Sequence, residues 1–352
     1  MPADVAPSLS TVPVANLLRI AFIAGGLLDE LDDCEASQDE GKSFDELLQA
    51  MLARTAERIR LRGFERGYSS AEEVTNRPHG RVLIARSIAT AAIPTRRLAC
   101  EFDEFGVDTP HNRVLKACAR MLSRCEASSE HQHALFALVR EMREVTDVEL
   151  SRRMLQALPR SIAMRRYRVV RFIARLLIDA GQPDERIGTE WARRLLQDEA
   201  KMRSIFERFV RRFGRASQPT GVRVGRSQLL WSTSAQELVP TLNTDVTVRE
   251  SDWTRVIECK YMRAFANHAQ HNVEMFHPEH LRQIYAYLSR ARDGIGSSTK
   301  LDGVLLYPAI AASVERSIDL GGFRVRVMQL SLAQPWSSLR DELRGVLFAK
   351  AM

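Results

Sequence analysis

Three residues in the C-terminal half of the chain have the types and spacing of a site that hydrolyses phosphodiesters with the help of a metal ion. Asp245 lies in the β-branched run TDVTVRE, and Glu258 and Lys260 flank Cys259 in the second run VIECKY. Two carboxylates can hold a hard cation such as Mg²⁺, and a nearby ammonium can orient a water molecule or stabilise charge on a phosphate. The pattern therefore predicts acid–acid–lysine chemistry.

The spacing of these residues predicts a β-hairpin that brings the acids together. Turn residues separate the two runs and place Ser251-Asp252 at the tip, so that Asp245 lies directly across from Glu258 with Cα atoms roughly 5 Å apart. Side chains alternate faces along a strand, so Glu258 and Lys260 share one face while Cys259 points into the core. Carboxylates at that distance repel each other unless a cation lies between them.

Three further polar residues are candidates for the same site. Gln283 and Tyr287 are four residues apart on a predicted helix over 278–290, so they lie on one face. Glu207 belongs to MRSIFERFVRRFGR, an amphipathic helix from which its carboxylate could reach the same metal. Glu207 is also typical of a solvated helix residue.

The predicted order of elements resembles the α-β-β-β-α-β core of the PD-(D/E)xK nuclease superfamily, and Gln283 and Tyr287 resemble the QxxxY element of its RecB-like branch. Along the whole chain the sequence is similar to McrC, the nuclease subunit of McrBC modification-dependent restriction systems. The segments that carry this resemblance are VPVANLLRIAFIAGGLLDEL, ELLQAMLARTAERIRLRGFERGY, FDEFGVDTPHNRVLKACARML, TDVTVRE, VIECKY, MFHPEHLRQIYAYL, GVLLYPA and GGFRVRVMQLSLAQPWSSLRDEL.

The resemblance implies an α+β fold class. A largely helical N-terminal McrC domain (1–186) with a β-rich insertion (about 63–104) is expected before a PD-(D/E)xK, restriction-endonuclease-like α/β nuclease domain (187–352). GQPDERI, at 181–187, is the best candidate for the linker between them.

The resemblance also implies a function and a partner. The chain would cleave double-stranded modified DNA of the 5-methylcytosine type, in defence against foreign DNA. The N-terminal domain would dock into a hexameric McrB-type AAA+ GTPase and stimulate it, with GTP bound by the partner and not by this chain.

The family pattern assigns a role to each candidate residue. Asp245 and Glu258 would bind Mg²⁺, or Mn²⁺ as a substitute, with help from the backbone carbonyl of Cys259. Lys260 would position or activate the water, and Gln283 and Tyr287 would brace the site.

The sequence departs from that pattern in two ways. Glu258 stands where the family often has Asp, and Pro240 is followed by Thr241, so that the matching acid is displaced to Asp245.

Composition allows this interpretation without requiring it. The chain has 352 residues, 45% of them hydrophobic and 27% charged, with a net charge of +7, so two globular domains and a polyanionic partner are both plausible. The arginine clusters at 165–175 and 211–215 are more typical of solvated helix faces than of a phosphate track.

Five cysteines without a CxxC motif favour a reducing compartment. The apolar stretch LLRIAFIAGGLL is interrupted by Arg19 and is too short to cross a bilayer, so we expect a soluble, cytoplasmic protein with no membrane partner.

Two other motifs carry weaker signals. Gly41-Lys42-Ser43 imitates the end of a phosphate-binding loop, but Ala36 replaces the required glycine and no strand precedes it. Four histidines with H-x2-H-x5-H-x2-H spacing could hold zinc, although a loop before a helix commonly carries exposed histidines. These are His268, His271, His277 and His280. His277 could instead contact DNA or water.

Two rival functions remain open on the sequence alone. One is a stand-alone QxxxY-type repair nuclease, and the other is a non-catalytic adaptor for an AAA+ ring. The intact acid–acid–lysine set favours a nuclease over an adaptor.

Overall fold

The computed structural model describes residues 12–28, 44–90, 92–125, 129–159, 165–180, 191, 195–231, 233, 238–262, 264–268, 273–295, 298–310 and 314–350. The chain divides into two compact units. The large unit comprises Met1–Phe44 and Gly188–Met352, and the middle unit comprises Asp45–Ile187. The predicted linker at 181–187 and the motif at 41–43 lie outside the described residues.

The large unit combines helices with a mixed sheet. Its described helices are α1 (Val14–Gly25), α8 (Glu199–Ser217), α9 (Pro278–Asp293) and α10 (Trp336–Phe348). Its described strands are β4 (Arg223–Gly225), β5 (Gln228–Leu229), β6 (Leu242–Asn243), β7 (Val246–Arg249), β8 (Trp253–Cys259), β9 (Phe265–His268), β10 (Val273–Phe276), β11 (Lys300–Ala309), β12 (Glu315–Leu320) and β13 (Phe323–Ser331).

Six of these strands form one sheet in the order β12-β13-β11-β8-β7-β4. β8 and β11 run parallel and are connected through α9, which is the crossover that parallel neighbours require. β7 and β8 are antiparallel, as a hairpin must be. β5 pairs with β6, and β9 with β10, in two separate ladders. The predicted helix at 278–290 and the predicted strand at 303–308 are therefore both present in this unit.

The sheet is covered on both faces. On one face, Val256 and Leu305 belong to an apolar cluster with Ile284 and Leu288 of α9. On the other face, the buried Arg255 of β8 donates to the carbonyl of Val346 in α10. All seven residues of β8 are buried, and Cys259 lies in the core as expected. A central strand between two helical layers has no outer face.

Helix α1 is where the predicted domain division fails. The structure assigns it to the large unit, whereas the sequence placed residues 1–186 in a single N-terminal domain. α1 is buried almost all around and packs against α8, and Asn16 donates to the carbonyls of Leu332 and Gln334. A helix that is apolar on every side needs several neighbours, and here the C-terminal elements provide them.

The middle unit contains helices and one small sheet. Its described helices are α2 (Phe44–Leu61), α3 (Ile84–Ala89), α4 (Pro110–Leu122), α5 (Ser129–Glu141), α6 (Arg152–Gln156) and α7 (Arg168–Ala180), with a 3-10 turn at Ile93–Thr95. The sheet has the order β1-β3-β2 and is antiparallel. Its strands are β1 (Gly67–Thr75), β2 (Arg81–Val82) and β3 (Leu98–Gly106). This sheet occupies the stretch that was predicted to be β-rich.

A polar cluster attaches one end of the β1–β3 pair to α4, where β1 begins and β3 ends. Glu65, just before β1, accepts hydrogen bonds from Thr109 and His111, and Asn112 donates to the carbonyls of Glu65 and Val107. Thr109 is also the N-cap of α4, and Pro110 occupies the first turn, where its missing N–H costs no hydrogen bond. None of the described helices is long and apolar enough to cross a membrane.

Candidate active site

The β7–β8 hairpin has the predicted register. Val246 pairs with Ile257 and Thr247 with Val256, which is the alignment that places Asp245 across from Glu258. The backbone N–H of Glu250 donates to the carbonyl of Trp253 at 2.8 Å and closes the turn around Ser251-Asp252. The turn residues therefore set the pairing that the site needs.

Asp245 lies immediately before β7, and its side chain points toward the end of β8. Its Oδ2 accepts a hydrogen bond of 2.9 Å from the backbone N–H of Cys259. The main chain of β8 therefore holds this carboxylate next to Glu258. Whether the carbonyl of Cys259 acts as a metal ligand stays a prediction.

Glu258, Lys260 and Gln283 form a closed triangle of hydrogen bonds. Lys260 Nζ donates to Glu258 Oε1 at 2.9 Å and to Gln283 Oε1 at 2.6 Å, and Gln283 Nε2 donates to Glu258 Oε1 at 2.8 Å. The second oxygen of Glu258, Oε2, is buried without a hydrogen-bond partner among the described residues. The structure thus leaves one carboxylate oxygen of the predicted site unsatisfied.

Tyr287 extends this arrangement by one helical turn. Gln283 Nε2 donates to the Tyr287 hydroxyl at 2.8 Å, and that hydroxyl donates to the backbone carbonyl of Asn243 at 3.1 Å. Both side chains lie on the same face of α9, because residues four apart on a helix are neighbours. α9 therefore connects Lys260 to the segment that precedes Asp245.

Burial destabilises the charge on both acids. Burial, together with the nearby carboxylate of Glu258, raises the pKa of Asp245 to about 7. Burial also raises the pKa of Glu258, although the ammonium of Lys260 opposes that rise. Two neighbouring carboxylates with raised pKa values are typical of functional sites, because a structural pair would avoid this repulsion.

Glu207 lies close enough to influence both acids electrostatically. Its Oε1 accepts from Arg211 at 2.7 Å and from Arg226 at 2.5 Å, so the carboxylate is already paired with two guanidinium groups. Among the described residues, no three side chains of His, Cys, Asp or Glu form a group that could hold a metal ion. A metal ligand role for Glu207 stays a prediction.

The histidines of the predicted zinc array are only partly described, and the two whose side chains are described are not exposed. His277 and His280 are each 6% exposed, their ring centroids are 4.8 Å apart, and His280 Nδ1 lies 2.8 Å from the hydroxyl of Tyr307. The expectation of exposed loop histidines is wrong here, because these residues begin α9 against the sheet. His271 and the side chain of His268 lie outside the described residues.

Sequence reasoning missed several residues that support the site. Arg255 and Asp302 form a fully paired, buried ion pair between β8 and β11, at 2.7 and 2.8 Å, and Arg211 donates to the backbone carbonyl of Asp245 at 3.0 Å. Tyr307 on β11 holds His280. The one available signal was Arg255, an arginine within an apolar strand run. A charged side chain that is buried in such a run needs a partner of opposite charge.

Comparison with known proteins agrees with the class that these features define, a two-unit α+β protein with paired acids and a lysine on one sheet. A family model described as McrBC 5-methylcytosine restriction system component matches residues 9–308. The chain belongs to that family.

Two relatives extend this result. The type IV methyl-directed restriction enzyme EcoKMcrBC of Escherichia coli (strain K12) is 23% identical over 341 residues, which cover 95% of this chain and 97% of that protein. A solved assembly of Thermococcus gammatolerans McrB AAA+ hexamers with bound McrC matches 95% of this chain and 76% of that chain, with 16% identity and a TM-score of 0.51. The resemblance to McrC is therefore confirmed, and the structural match shows a shared fold.

Proposed function

We propose that this chain is the Mg²⁺-dependent DNA endonuclease subunit of a McrBC-type restriction complex. It would cleave foreign DNA that carries 5-methylcytosine-type modification and would stimulate GTP hydrolysis by a McrB-type AAA+ partner. The observation that carries the proposal is the constellation of Asp245, Glu258, Lys260 and Gln283, in which Glu258 is buried and one of its oxygens is unsatisfied. Family membership supports the restriction role.

The arrangement of the large unit supports assignment to the PD-(D/E)xK class. A helix (α8) is followed by an edge strand (β4), by the hairpin that carries both acids, by the crossover helix and by β11. This order is the one that the resemblance implied. The acids and the lysine lie where the hairpin meets the crossover helix, so one sheet and one helix position the whole set.

The donor set fits a magnesium ion. Mg²⁺ prefers carboxylate oxygens and keeps several water ligands, so it needs only one or two carboxylates from the protein. Asp245 and Glu258 would hold it, with the Cys259 carbonyl and Glu207 as further ligands, and Mn²⁺ could substitute. When bound, the ion would lower the pKa of a water ligand and neutralise charge on the phosphate.

The remaining residues of the site have roles that follow from their contacts. Lys260 is held on two sides, so its third N–H can orient the attacking water or donate to a phosphate oxygen. Gln283 keeps that ammonium beside Glu258, and Tyr287 anchors the glutamine to the main chain. The water oxygen would form a bond to phosphorus while the bond to the departing 3′ oxygen breaks in line.

The proposed partner is a hexameric McrB-type AAA+ GTPase. The Thermococcus gammatolerans assembly that shares this fold contains McrC bound to McrB AAA+ hexamers. GTP would be bound by those subunits. The three-stranded sheet of the middle unit would be the docking part, because Tyr68 is 77% exposed and Phe105 54% exposed, with ring centroids 5.1 Å apart.

The test is reconstitution of the complex. The chain, its cognate AAA+ partner, methylated plasmid, GTP and Mg²⁺ are expected to give cleavage that Asp245→Asn abolishes while stimulation of GTP hydrolysis persists. Asp252→Asn is the matched control, because this exposed acid lies at the opposite end of the same hairpin. Chelation by EDTA should stop cleavage in every case.

Other outcomes separate the rival functions. Cleavage at the full rate without the partner would favour a stand-alone repair nuclease. GTPase stimulation without any cleavage by the unaltered chain would favour a non-catalytic adaptor. Cleavage by the Asp245→Asn variant at the unaltered rate would contradict the proposed site.

A further inference from the structure

An exposed edge of the six-stranded sheet carries closely spaced arginines. β4 is the edge strand, and its Arg223 lies directly across from Arg249 of β7. Both side chains are exposed. Like charges directly opposite each other on adjacent strands destabilise a sheet, so this pair is unfavourable unless an anion lies over it.

Two more arginines join the same edge. Arg215 of α8 extends over β4, where its Nε lies 3.5 Å from the carbonyl of Val224. Arg226 follows β4 directly. Arg249 is connected to this segment through a 2.9 Å hydrogen bond from its Nη2 to Ser227 Oγ. We name Arg215, Arg223, Arg226 and Arg249 the arginine edge.

The arginine edge is continuous with the candidate active site. Arg226 and Arg211 donate to the same oxygen of Glu207, and Arg211 also donates to the backbone carbonyl of Asp245 at 3.0 Å. Through Glu207 and Arg211, the Arg226 end of the arginine edge is therefore linked to Asp245.

The charge along this edge is largely uncompensated. Among the described residues, Glu207 pairs with Arg226, and no carboxylate forms an ion pair with Arg223 or Arg249. Residues 223–227 span roughly 13 Å in four steps of about 3.3 Å, and each DNA strand carries one phosphate per roughly 3.4 Å of helix axis. Guanidinium groups bind phosphate oxygens in a bidentate geometry. Several of them spaced along an extended segment suit a row of phosphates rather than a single ion.

We infer that the arginine edge binds the phosphate backbone of one strand of duplex DNA and guides it to Asp245 and Glu258. This inference rests on the proposed nuclease function, because it names the track along which the substrate enters the site. Backbone contacts carry no sequence information, so the edge serves methylated and unmethylated DNA alike.

The test measures DNA binding in the absence of cleavage. The full chain is titrated against a short fluorescein-labelled duplex in EDTA, and anisotropy gives the Kd over a range of salt concentrations. Arg223→Gln/Arg249→Gln should weaken binding at least about tenfold and reduce the slope of log K against log salt by about 2. Arg316→Gln/Arg344→Gln removes the same charge from two exposed residues, one of them on the opposite edge strand β12, and should leave both quantities unchanged.

The outcomes distinguish this inference from the proposed function. An unchanged Kd and salt slope in the Arg223→Gln/Arg249→Gln variant would overturn it, and so would an equal loss in the control or an absence of DNA binding by the unaltered chain. If binding depends on the arginine edge but Mg²⁺, GTP and the partner produce no cleavage, the nuclease function fails while the DNA track stands. If cleavage proceeds and both double variants bind and cut equally well, only the DNA track fails.

Discussion

The two main sheets of this chain differ in how their strands are buried. In the large unit, every residue of β8 is buried and β11 is buried after its first residue. In the middle unit, β1 has no buried residue and most of β3 beyond Cys100 is partly or fully exposed. Exposed apolar residues also lie on α3, between β2 and β3, among them Ile84 at 68% and Ile88 at 64%.

This difference separates two physical tasks. A strand covered on both sides holds side chains in fixed positions, which suits a site where acids and a lysine must be placed to within a fraction of an ångström. An exposed strand with aromatic side chains presents surface that a partner can cover. The comparison predicts that substitutions in the first sheet change chemistry or folding, whereas substitutions in the second change association.

The largest effect is expected at Glu258. Glu258→Gln should abolish cleavage by the reconstituted complex, because it removes a charged oxygen from the proposed metal site. The free energy of unfolding should stay within about 1 kcal/mol of the original, since the neutral amide also relieves repulsion with Asp245. Plasmid cleavage and urea unfolding are the measurements. Glu279→Gln, which changes an exposed acid on α9, is the control. Persistent cleavage by Glu258→Gln would refute the assignment.

The next effect concerns the ion pair that joins β8 to β11. Arg255→Met should lower the free energy of unfolding by about 3–5 kcal/mol, because it leaves Asp302 buried without its partner. Arg316→Met, on the exposed edge strand, should cost little. Adding Asp302→Leu to Arg255→Met should restore part of the loss. A drop in urea midpoint equal to that of Arg316→Met would show that this pair does not stabilise the sheet.

A smaller effect is expected on the exposed sheet. Tyr68→Ala/Phe105→Ala should weaken binding to the AAA+ partner about tenfold or more, since exposed aromatic residues commonly dominate interfaces. The free energy of unfolding should change by less than about 1 kcal/mol, because both rings are largely in solvent. Phe136→Ala, another exposed aromatic change in the same unit, is the control. Unaltered GTPase stimulation and affinity would place the docking surface elsewhere.

The smallest effect concerns acid stability at the base of the small sheet. Burial alone would raise the pKa of Asp108, but hydrogen bonds from Arg113 and Thr146 outweigh it and lower the pKa to about 2. A lowered pKa stabilises the folded state above the unfolded value near 3.8, and this stabilisation is lost as the pH falls toward 2.

Asp108→Asn should therefore flatten the pH dependence of unfolding between pH 4 and 2. Solvent screening limits the difference to about 1 kcal/mol or less. Thermal unfolding measured across that range is the check. An equally steep decline in the variant would assign the acid sensitivity to other carboxylates.

The features of the site that could be predicted depend on local rules. Turn residues at Ser251-Asp252 fix the register of the hairpin, and the four-residue spacing of Gln283 and Tyr287 fixes their common face. The unpredicted features depend on contacts between distant parts of the chain. Helix periodicity identifies α1 but cannot say which unit covers it, and no local pattern pairs Arg255 with Asp302.

The same reason explains the error near the site. The histidines at the start of α9 were placed in solvent because the sequence before a helix resembles a loop. The packing of α9 on the sheet decides the burial of these histidines, and that packing is a tertiary property.

The single glutamine of α9 that meets Lys260 has only one workable orientation. The carbonyl oxygen of Gln283 accepts a hydrogen bond from the Lys260 ammonium, and its NH₂ group donates to Glu258 and Tyr287. If the amide were reversed, the NH₂ group would face the ammonium and the oxygen would face the carboxylate of Glu258, so these hydrogen bonds would be lost. The Tyr287 hydroxyl in turn donates to the backbone carbonyl of Asn243. Each donor along the series from Lys260 through Gln283 and Tyr287 to Asn243 therefore points in the same direction. A small rotation of the helix would break every member of this series together, so the site should lose its alignment all at once rather than by degrees.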